Sequence, residues 1–311
     1  MGPNPKRRAM NKLGIVLVNY RGWRDTLDCI SSLRRLDHAP VEIVVVENGS
    51  PDDSWDRLKS VDGVRLVKLD RNLGFAGACN IGMKVAREGG AEFLWLLNND
   101  TVVEPRAGST LIQLARSRPE AHFFGSFISF ASEPDLLWFG GGDFDWTTGT
   151  PGHAAFRQRA TLVFSPDPVP TQWVTGCSLL IRSRSLDVVG YMDEGFFLYG
   201  EDLDWQLRAR REFPVAWIAR ESLVYHKVGQ STGSTESEMG RVFMSRNCLK
   251  LAARHAGAHL PIWLGRWAIE FLVKPALRGN VRLARAGLAG VTTQRTAGAE
   301  IVARLAGATH R

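Results

Sequence analysis

Glu201 and Asp202 are adjacent carboxylates, delivered by Gly200 at the end of the run Phe196-Phe197-Leu198-Tyr199. The stretch from Leu203 to Arg211 has no proline or glycine and reads as a helix. The pair would then lie in its first turn, where carboxylates complement the helix dipole. Such groups can take and give protons in a transfer reaction. A second set lies far upstream, where the apolar run Leu94-Trp95-Leu96-Leu97 ends in Asn98-Asn99-Asp100. Oxygen donors hold a hard divalent cation. His226, after another β-like run, adds a nitrogen that manganese tolerates. Polar groups close three further apolar runs: Asn19-Tyr20, Glu47-Asn48 and Asp70-Arg71-Asn72, where Arg71 suits a phosphate. Taken singly, each feature has a plainer reading as a helix start, a turn, a structural histidine or a surface arginine. Taken together, they suit metal-assisted transfer from a nucleotide diphosphate.

These groups need a sheet that brings strand ends to one edge. Leu13 to Tyr20 reads as a buried strand, and residues 24–36 follow as a helix with Leu27, Ile30, Leu33 and Leu36 on one face. Val41 to Val46 and Val64 to Leu69 read as strands, and a helix is expected from about Gly74 to Glu88. Phe93 to Leu97 is a fourth strand, with helix again at about 105–117. This alternation means a parallel sheet with right-handed crossovers. Such α/β sheets carry their chemistry at the carboxyl ends of the strands. Farther on, Gln172 to Ile181 reads as a strand interrupted at Thr175-Gly176, and Val215 to Ala219 and Ser222 to Tyr225 as two short strands. Residues 241–256 and most of the tail read as helical.

Composition narrows the classes. A chain of 311 residues, 44% hydrophobic, can bury the core of one large α/β domain plus an appendage. The four cysteines are scattered without metal-binding spacing, which points to free thiols in a reducing, cytoplasmic setting. No Gly-Lys dipeptide occurs, so there is no P-loop, and neither Gly74 to Gly77 nor Gly140 to Gly142 fits a dinucleotide fingerprint. No apolar window is long enough to cross a bilayer. The net charge of +7 is uneven: from Arg241 onward twelve Lys and Arg face two Glu, leaving +10 in the tail and −3 in residues 1–240. Leu260, Trp263, Leu264, Trp267 and Phe271 follow helical spacing there, with Arg266, Lys274 and Arg278 nearby. That pattern suits a lipid interface, or a helix packed on the body of the protein. An acidic body without a recognition module argues against nucleic acid. The expected organisation is a flexible leader over 1–12, a catalytic domain over 13–240 and a basic helical extension over 241–311.

The ordered series of motifs resembles a known family. It runs through Val18-Asn19-Tyr20, Val46-Glu47-Asn48-Gly49-Ser50, Asn72-Leu73-Gly74-Phe75-Ala76-Gly77 and Leu96-Leu97-Asn98-Asn99-Asp100. It continues with Gly176, Asp193-Glu194, Asp202-Leu203-Asp204-Trp205, Tyr225-His226 and Arg246-Asn247. Over about residues 13–256 the chain resembles the inverting family 2 glycosyltransferases (GT2) with a GT-A fold, a Rossmann-like, mostly parallel sheet flanked by helices. Within them it resembles the rhamnosyltransferase-like branch.

The resemblance implies roles. Asn98-Asn99-Asp100 matches the DxD-type metal motif, with Asp100 and His226 as ligands of Mn2+ or Mg2+. Asn98 stands where an aspartate is common, and Glu47 where the family usually has an aspartate for the base or ribose. Asp202 matches the catalytic base, with Glu201 its neighbour. Asn19, Tyr20, Glu47, Asn48, Arg71, Asn72, Gly74, Asn98, Asn99 and Gly176 would bind the nucleotide-sugar donor. The implied reaction is one inverting displacement at C1. Its favoured donor is dTDP-rhamnose, with a UDP-hexose or galactofuranose donor as the alternative. The implied acceptor is a glycan or a lipid-linked hydroxyl in cell-envelope polysaccharide synthesis, met at the inner membrane face through the tail. Two other classes stay open: a sugar nucleotidyltransferase, which would want a glycine-rich loop that Asn19-Tyr20-Arg21-Gly22 does not supply, and a non-catalytic glycan-binding protein. Self-association is left open.

Overall fold

The computed structural model describes residues 12–228, 237–298 and 300–302, so the expected leader, Lys12 apart, lies outside the described residues. The first half alternates strand and helix as its periodicity requires. The order is β1 (Leu13–Asn19), α1 (Trp23–Leu33), β2 (Val41–Glu47), a short helix Ser54–Leu58, β3 (Val64–Lys68), α2 (Gly74–Glu88) and β4 (Phe93–Asn98). These strands lie parallel in the order β3-β2-β1-β4. β1 and β4 are almost wholly buried, as unbroken apolar runs in a helix-covered parallel sheet must be.

The second half widens the sheet with mixed pairing. It adds β5 (Thr101–Val103), α3 (Ala107–Ser117), β6 (Phe123–Phe130), β7 (Leu137–Phe139), a separate hairpin of β8 (Gly142–Asp145) and β9 (Thr150–His153), β10 (Val169–Thr171) and β11 (Ser178–Arg182). After α4 (Glu201–Ala209) comes β12 (Ala216–His226), and the main sheet continues β4-β11-β6-β12-β10. The chain ends in α5 (Glu238–His255), α6 (Leu260–Ala268) and α7 (Val281–Thr292).

Two expectations are corrected. The two short strands expected over 215–225 are one strand, β12, whose register against β6 shifts between Ala219 and Leu223. A β-bulge there keeps pairing alive through polar residues that looked like a break. The strand expected from Gln172 to Ile181 begins only at Ser178. Before it the chain turns, with the Ser178 N–H donating to the Thr175 carbonyl (3.2 Å), and Gln206 takes both hydrogen-bonding groups of Val174.

Candidate active site

The parallel strands β1, β2 and β4 end at one edge with Asn19, Glu47 and Asn98. β11 runs the other way beside β4, Ser178 facing Leu97, so Gly176 arrives at that edge too. β12 ends there because it pairs with β5, His226 opposite Thr101. This pairing sets His226 Nε2 3.2 Å from Asp100 Oδ1, with both residues buried. Burial alone would lower the His226 pKa, but Cys177 and the Asp100 carboxylate beside it push it up to about 10.

A cavity of about 550 Å³ opens over this edge. Eleven of the fourteen expected site residues that the structure can place line it in three groups. By origin, Tyr20, Asn48, Asn72, Gly74, Asn98 and Asn99 come from the ends of parallel strands and the segments that follow them, Asp100 and His226 from the β5–β12 junction, and Gly176, Glu201 and Asp202 from the approach to β11 and the start of α4. Asn19, Glu47 and Arg71 do not line it. Asn19 is buried, accepting from the Thr26 hydroxyl (2.9 Å), and Glu47 accepts from the Ser50 N–H (2.9 Å). Arg71 is exposed.

Asn48, Asn72 and Gly74 are joined in a web of amides. The Asn48 amide donates to Asn72 Oδ1 (3.1 Å) and to the Gly74 carbonyl (3.2 Å), while Asn48 Oδ1 accepts from the Leu73 N–H (2.9 Å). Gly74 stands at φ +77°, and a Cβ there would collide with the carbonyl oxygen of Phe197. Only glycine accommodates both conditions. The Phe75 N–H donates to that same carbonyl (2.6 Å), so the start of α2 is tied to the loop before α4.

That loop is conformationally unusual. Phe197 adopts φ 65°, ψ −58° and Tyr199 φ 68°. The Leu198 N–H bonds back to the Phe196 carbonyl (2.8 Å), which makes a γ-turn of the rare strained kind. Non-glycine residues at such angles cost about 1–3 kcal/mol each and need outside support. The support comes from α5. Asn247 Nδ2 donates to the carbonyls of Phe196 (2.9 Å), Leu198 (2.7 Å) and Tyr199 (2.7 Å), and an Arg246 NH2 group to those of Gly195 (2.7 Å) and Phe196 (2.8 Å). The aromatic run therefore splits: Phe196 is core, while Phe197, Leu198 and Tyr199 line the cavity.

The carboxylate pair opens α4 as expected. Asp202 is held by two backbone donors, the Gly176 N–H to Oδ2 (2.7 Å) and its own helix's Leu203 N–H to Oδ1 (2.8 Å). Burial raises its pKa above the usual carboxylate range, and those two bonds oppose the rise. Glu201 is buried, its Oε2 without a hydrogen-bond partner among the described residues. Burial and the neighbouring Asp202 push its pKa up to about 8. Glu201, raised by burial and by the neighbouring charge, is the member of the pair that holds a proton near neutrality. Asp204, the next acidic residue, is fully buried and bonded to Arg208 (2.9 Å), His255 (2.9 Å) and Arg254 (3.2 Å). It is a structural anchor and does not line the cavity.

Asp100 and His226 are bonded to each other here, and they would suit a divalent cation once His226 gives up its proton, because a mixed oxygen–nitrogen pair is one that manganese accepts. Among the described residues no cluster of three or more His, Cys, Asp or Glu is arranged around a single point. The remaining coordination positions would fall to water or phosphate oxygens, as is usual for magnesium-type sites. Sequence reasoning missed several cavity residues, including Trp138, His153 and Trp173 from the middle of the chain. It also missed Gln206, whose place four residues after Asp202 on a helix was a readable signal.

Residues 14–180 match the family described as Glycosyl transferase family 2. The N-acetylglucosaminyl-diphospho-decaprenol L-rhamnosyltransferase of Mycobacterium tuberculosis is 26% identical over 301 residues, covering 88% of this chain and 95% of its own. The dTDP-rhamnosyl transferase RfbF of Shigella flexneri is 22% identical over 279 residues, covering 82% and 84%. Among solved structures, GalNAc-T7 with UDP, GalNAc and Mn2+ superposes with a TM-score of 0.61 at 15% identity, over 78% of this chain and 48% of its own. The present chain thus spans about half of that protein. The mannosyltransferase PcManGT from Pyrobaculum calidifontis, in complex with GDP-Man and Mn2+, superposes at 0.54 and 12% identity, over 96% and 79%. Identities this low speak for a shared fold alone.

Proposed function

The chain belongs to glycosyl transferase family 2 and has the GT-A fold, and from that premise we propose that it transfers L-rhamnose from dTDP-rhamnose, with inversion, to a glycan or lipid-linked hydroxyl in cell-envelope polysaccharide synthesis. The observation that carries this reading is a single cavity lined both by Asp100 and His226 and by the Glu201-Asp202 pair. Rhamnose is favoured because two relatives with high coverage are rhamnosyltransferases by name.

In this reading Asn48 and Asn72 present the donor wall, and Asn98 and Tyr20 close it. Asp202, fixed by the Gly176 and Leu203 N–H groups, accepts the proton of the acceptor hydroxyl. The acceptor oxygen forms its bond to C1 while the bond from C1 to the diphosphate oxygen breaks, so one displacement inverts the anomeric centre. Glu201 keeps its proton near neutrality and leaves Asp202 as the charged member of the pair. A divalent cation held by Asp100 and His226 would neutralise charge gathering on the leaving diphosphate. The site works on the cytoplasmic side of a membrane, attached peripherally through the C-terminal helices.

The test is incubation with a panel of dTDP-, UDP- and GDP-sugars and with sugar phosphates plus nucleoside triphosphates. Released nucleoside diphosphate supports transfer, with dTDP-rhamnose expected to lead. Pyrophosphate release would mean a nucleotidyltransferase, and a better UDP-sugar would move the donor assignment. Chelation should abolish turnover and added Mn2+ or Mg2+ restore it; full activity in excess chelator removes the cation from the scheme.

A further inference from the structure

Two polar groups that line the cavity have no partner inside the protein, and they are neighbours. Four tryptophans line it. Trp173 donates its indole N–H to the Asp143 carbonyl (3.0 Å), Trp263 to the Trp146 carbonyl (3.0 Å) and Trp267 to the Ser245 hydroxyl (3.0 Å). The Trp138 N–H has no acceptor among the described residues, and Trp138 is half-buried. Beside it in the lining is His153 of β9, the two ring centres 4.8 Å apart at 78°. His153 Nδ1 lies 3.1 Å from the Trp138 carbonyl. A carbonyl can only accept, so Nδ1 carries the proton and Nε2 of the neutral ring is a bare acceptor. Nε2 has no partner among the described residues, and no carboxylate there pairs with the ring. Burial lowers the His153 pKa against the pull of the Trp138 carbonyl, and His226 lowers it further.

The pair is held in place by its surroundings. Phe139 meets the His153 ring edge-on (5.0 Å, 89°), and Trp173 stands against it (5.6 Å). The Gly140 N–H donates to the Ala154 carbonyl (3.1 Å) and the Ala154 N–H to the Gly141 carbonyl (2.8 Å), which fixes the end of β9 beside the residues after β7. The Trp138 ring also meets His226 edge-on (4.6 Å, 80°), so the pair adjoins the Asp100–His226 contact. One neutral acceptor and one neutral donor among aromatic rings are a poor match for a phosphate, which wants charged or multiple donors. They match a sugar ring, whose hydroxyls both donate and accept and whose C–H surface packs on aromatic side chains.

We propose that Trp138 and His153 form a sugar subsite of this cavity, in which one hydroxyl donates to His153 Nε2 and another accepts from the Trp138 indole N–H. The inference deepens the transfer reading and rests on it for the presence of a sugar. The sugar of the nucleotide donor and the sugar of the acceptor share this chemistry, and the two arms of the test separate them.

Calorimetry on the full chain with Mn2+ compares dTDP with dTDP-rhamnose and UDP with UDP-glucose. Saturation-transfer NMR on the dTDP-bound chain reads a panel of methyl glycosides. His153→Phe and Trp138→Phe should each weaken sugar binding by about 3- to 10-fold, the scale of one neutral hydrogen bond, with dTDP and UDP affinity unchanged. His153→Gln, which keeps an acceptor, should lose less. A smaller gain of nucleotide sugar over nucleotide assigns the subsite to the donor's sugar; a loss confined to the glycosides assigns it to the acceptor's. If His153→Phe melts at a lower temperature, Trp138→Phe becomes the variant to read. Nitrogen NMR of the His153 ring should show the proton on Nδ1, and a proton on Nε2 instead overturns the proposal. So does wild-type sugar affinity in both folded variants, the absence of sugar-dependent binding in both arms of the wild type, or a loss of dTDP affinity that equals the loss for dTDP-rhamnose. If the wild type transfers sugar and both variants match it in both arms, the subsite fails and the transfer reading stands. If His153-dependent sugar binding persists while no nucleotide sugar turns over, the transfer reading fails and the subsite stands.

Discussion

At the residue scale the decisive contrast is between three acidic side chains within one turn of α4. Asp204 is spent on Arg208, Arg254 and His255. Glu201 is buried with an unpartnered oxygen, and Asp202 is anchored by two backbone N–H groups and faces the cavity. Asp202→Asn is therefore expected to fold and bind nucleotide but to lose at least about 100-fold in turnover, the scale of general-base catalysis. Glu201→Gln, which mimics a protonated Glu201, is expected to stay within about tenfold; steady-state kinetics on the two variants separates the roles, and the reverse ranking would exchange them. Glu201 also makes a stability prediction. Its folded pKa of about 8 lies above the ordinary 4.5, so the folded state keeps a proton that the unfolded chain releases. The stability this supplies is complete below the unfolded value and is lost as pH rises through about 8. Glu201→Gln has no such loss. Its melting temperature relative to wild type should climb between about pH 5 and about pH 9, and a flat difference would mean that Glu201 ionises without penalty.

At the element scale the site depends on a loop that cannot hold itself. The 195–200 segment carries two non-glycine residues at positive φ, and α5 clamps it through Arg246 and Asn247. Asn247→Ala removes one donor from each of three carbonyls, of which Phe196 keeps Arg246 and the Leu198 N–H. It should cost about 1–3 kcal/mol in denaturant unfolding and lower kcat more than it changes nucleotide affinity, because the loop leads directly into Asp202. Gly74→Ala attacks the same joint from the other side, where its Cβ would meet the Phe197 carbonyl. Calorimetry should find that variant weakened toward nucleotide. This joint also marks where sequence reading stops. β1, β2, β4 and α2 were legible because each is a long periodic run, and the polar strand ends followed from them. The His226–Asp100 contact needed the β5–β12 pairing, which joins residues 125 positions apart through a three-residue strand. Arg246-Asn247 was visible as a motif, but its job is to satisfy backbone carbonyls of a strained turn, and no side-chain pattern announces such a turn. Asn19 and Glu47 end strands as expected but do not line the cavity; buried polar groups must find partners, and each has one inside the protein.

At the scale of the whole molecule the C-terminal helices face two ways. Their inner surface closes the cavity and also covers a small cluster of Phe197, Val242, Phe243, Ala286 and Ile301. The aromatic stripe that suggested a lipid interface belongs largely to that inner surface, since Trp263 and Phe271 are each only 5% exposed. The outward apolar residues are Ile262 (47%), Ile269 (52%), Val273 (44%) and Leu277 (83%), at helical spacing. Arg278 and Arg285 are exposed alongside, within a tail of net charge +10. No helix among the described residues is long and apolar enough to cross a membrane. Each basic residue near an anionic surface contributes about 1 kcal/mol, screened by salt, and the aliphatic side chains add a part that salt does not remove. Full-length protein should therefore co-sediment with anionic vesicles at low salt and retain a residue of binding at high salt. The triple variant Ile262→Ser, Ile269→Ser, Val273→Ser should lose that residue while melting normally, because its side chains leave the protein core untouched. Trp263→Ala should do the opposite: it removes about 3–5 kcal/mol of core packing and leaves vesicle binding in the folded fraction intact. If neutral and anionic vesicles pellet the protein equally, or if the triple variant pellets like wild type, the outer face is not the membrane contact. The helices would then serve only as the cavity's wall.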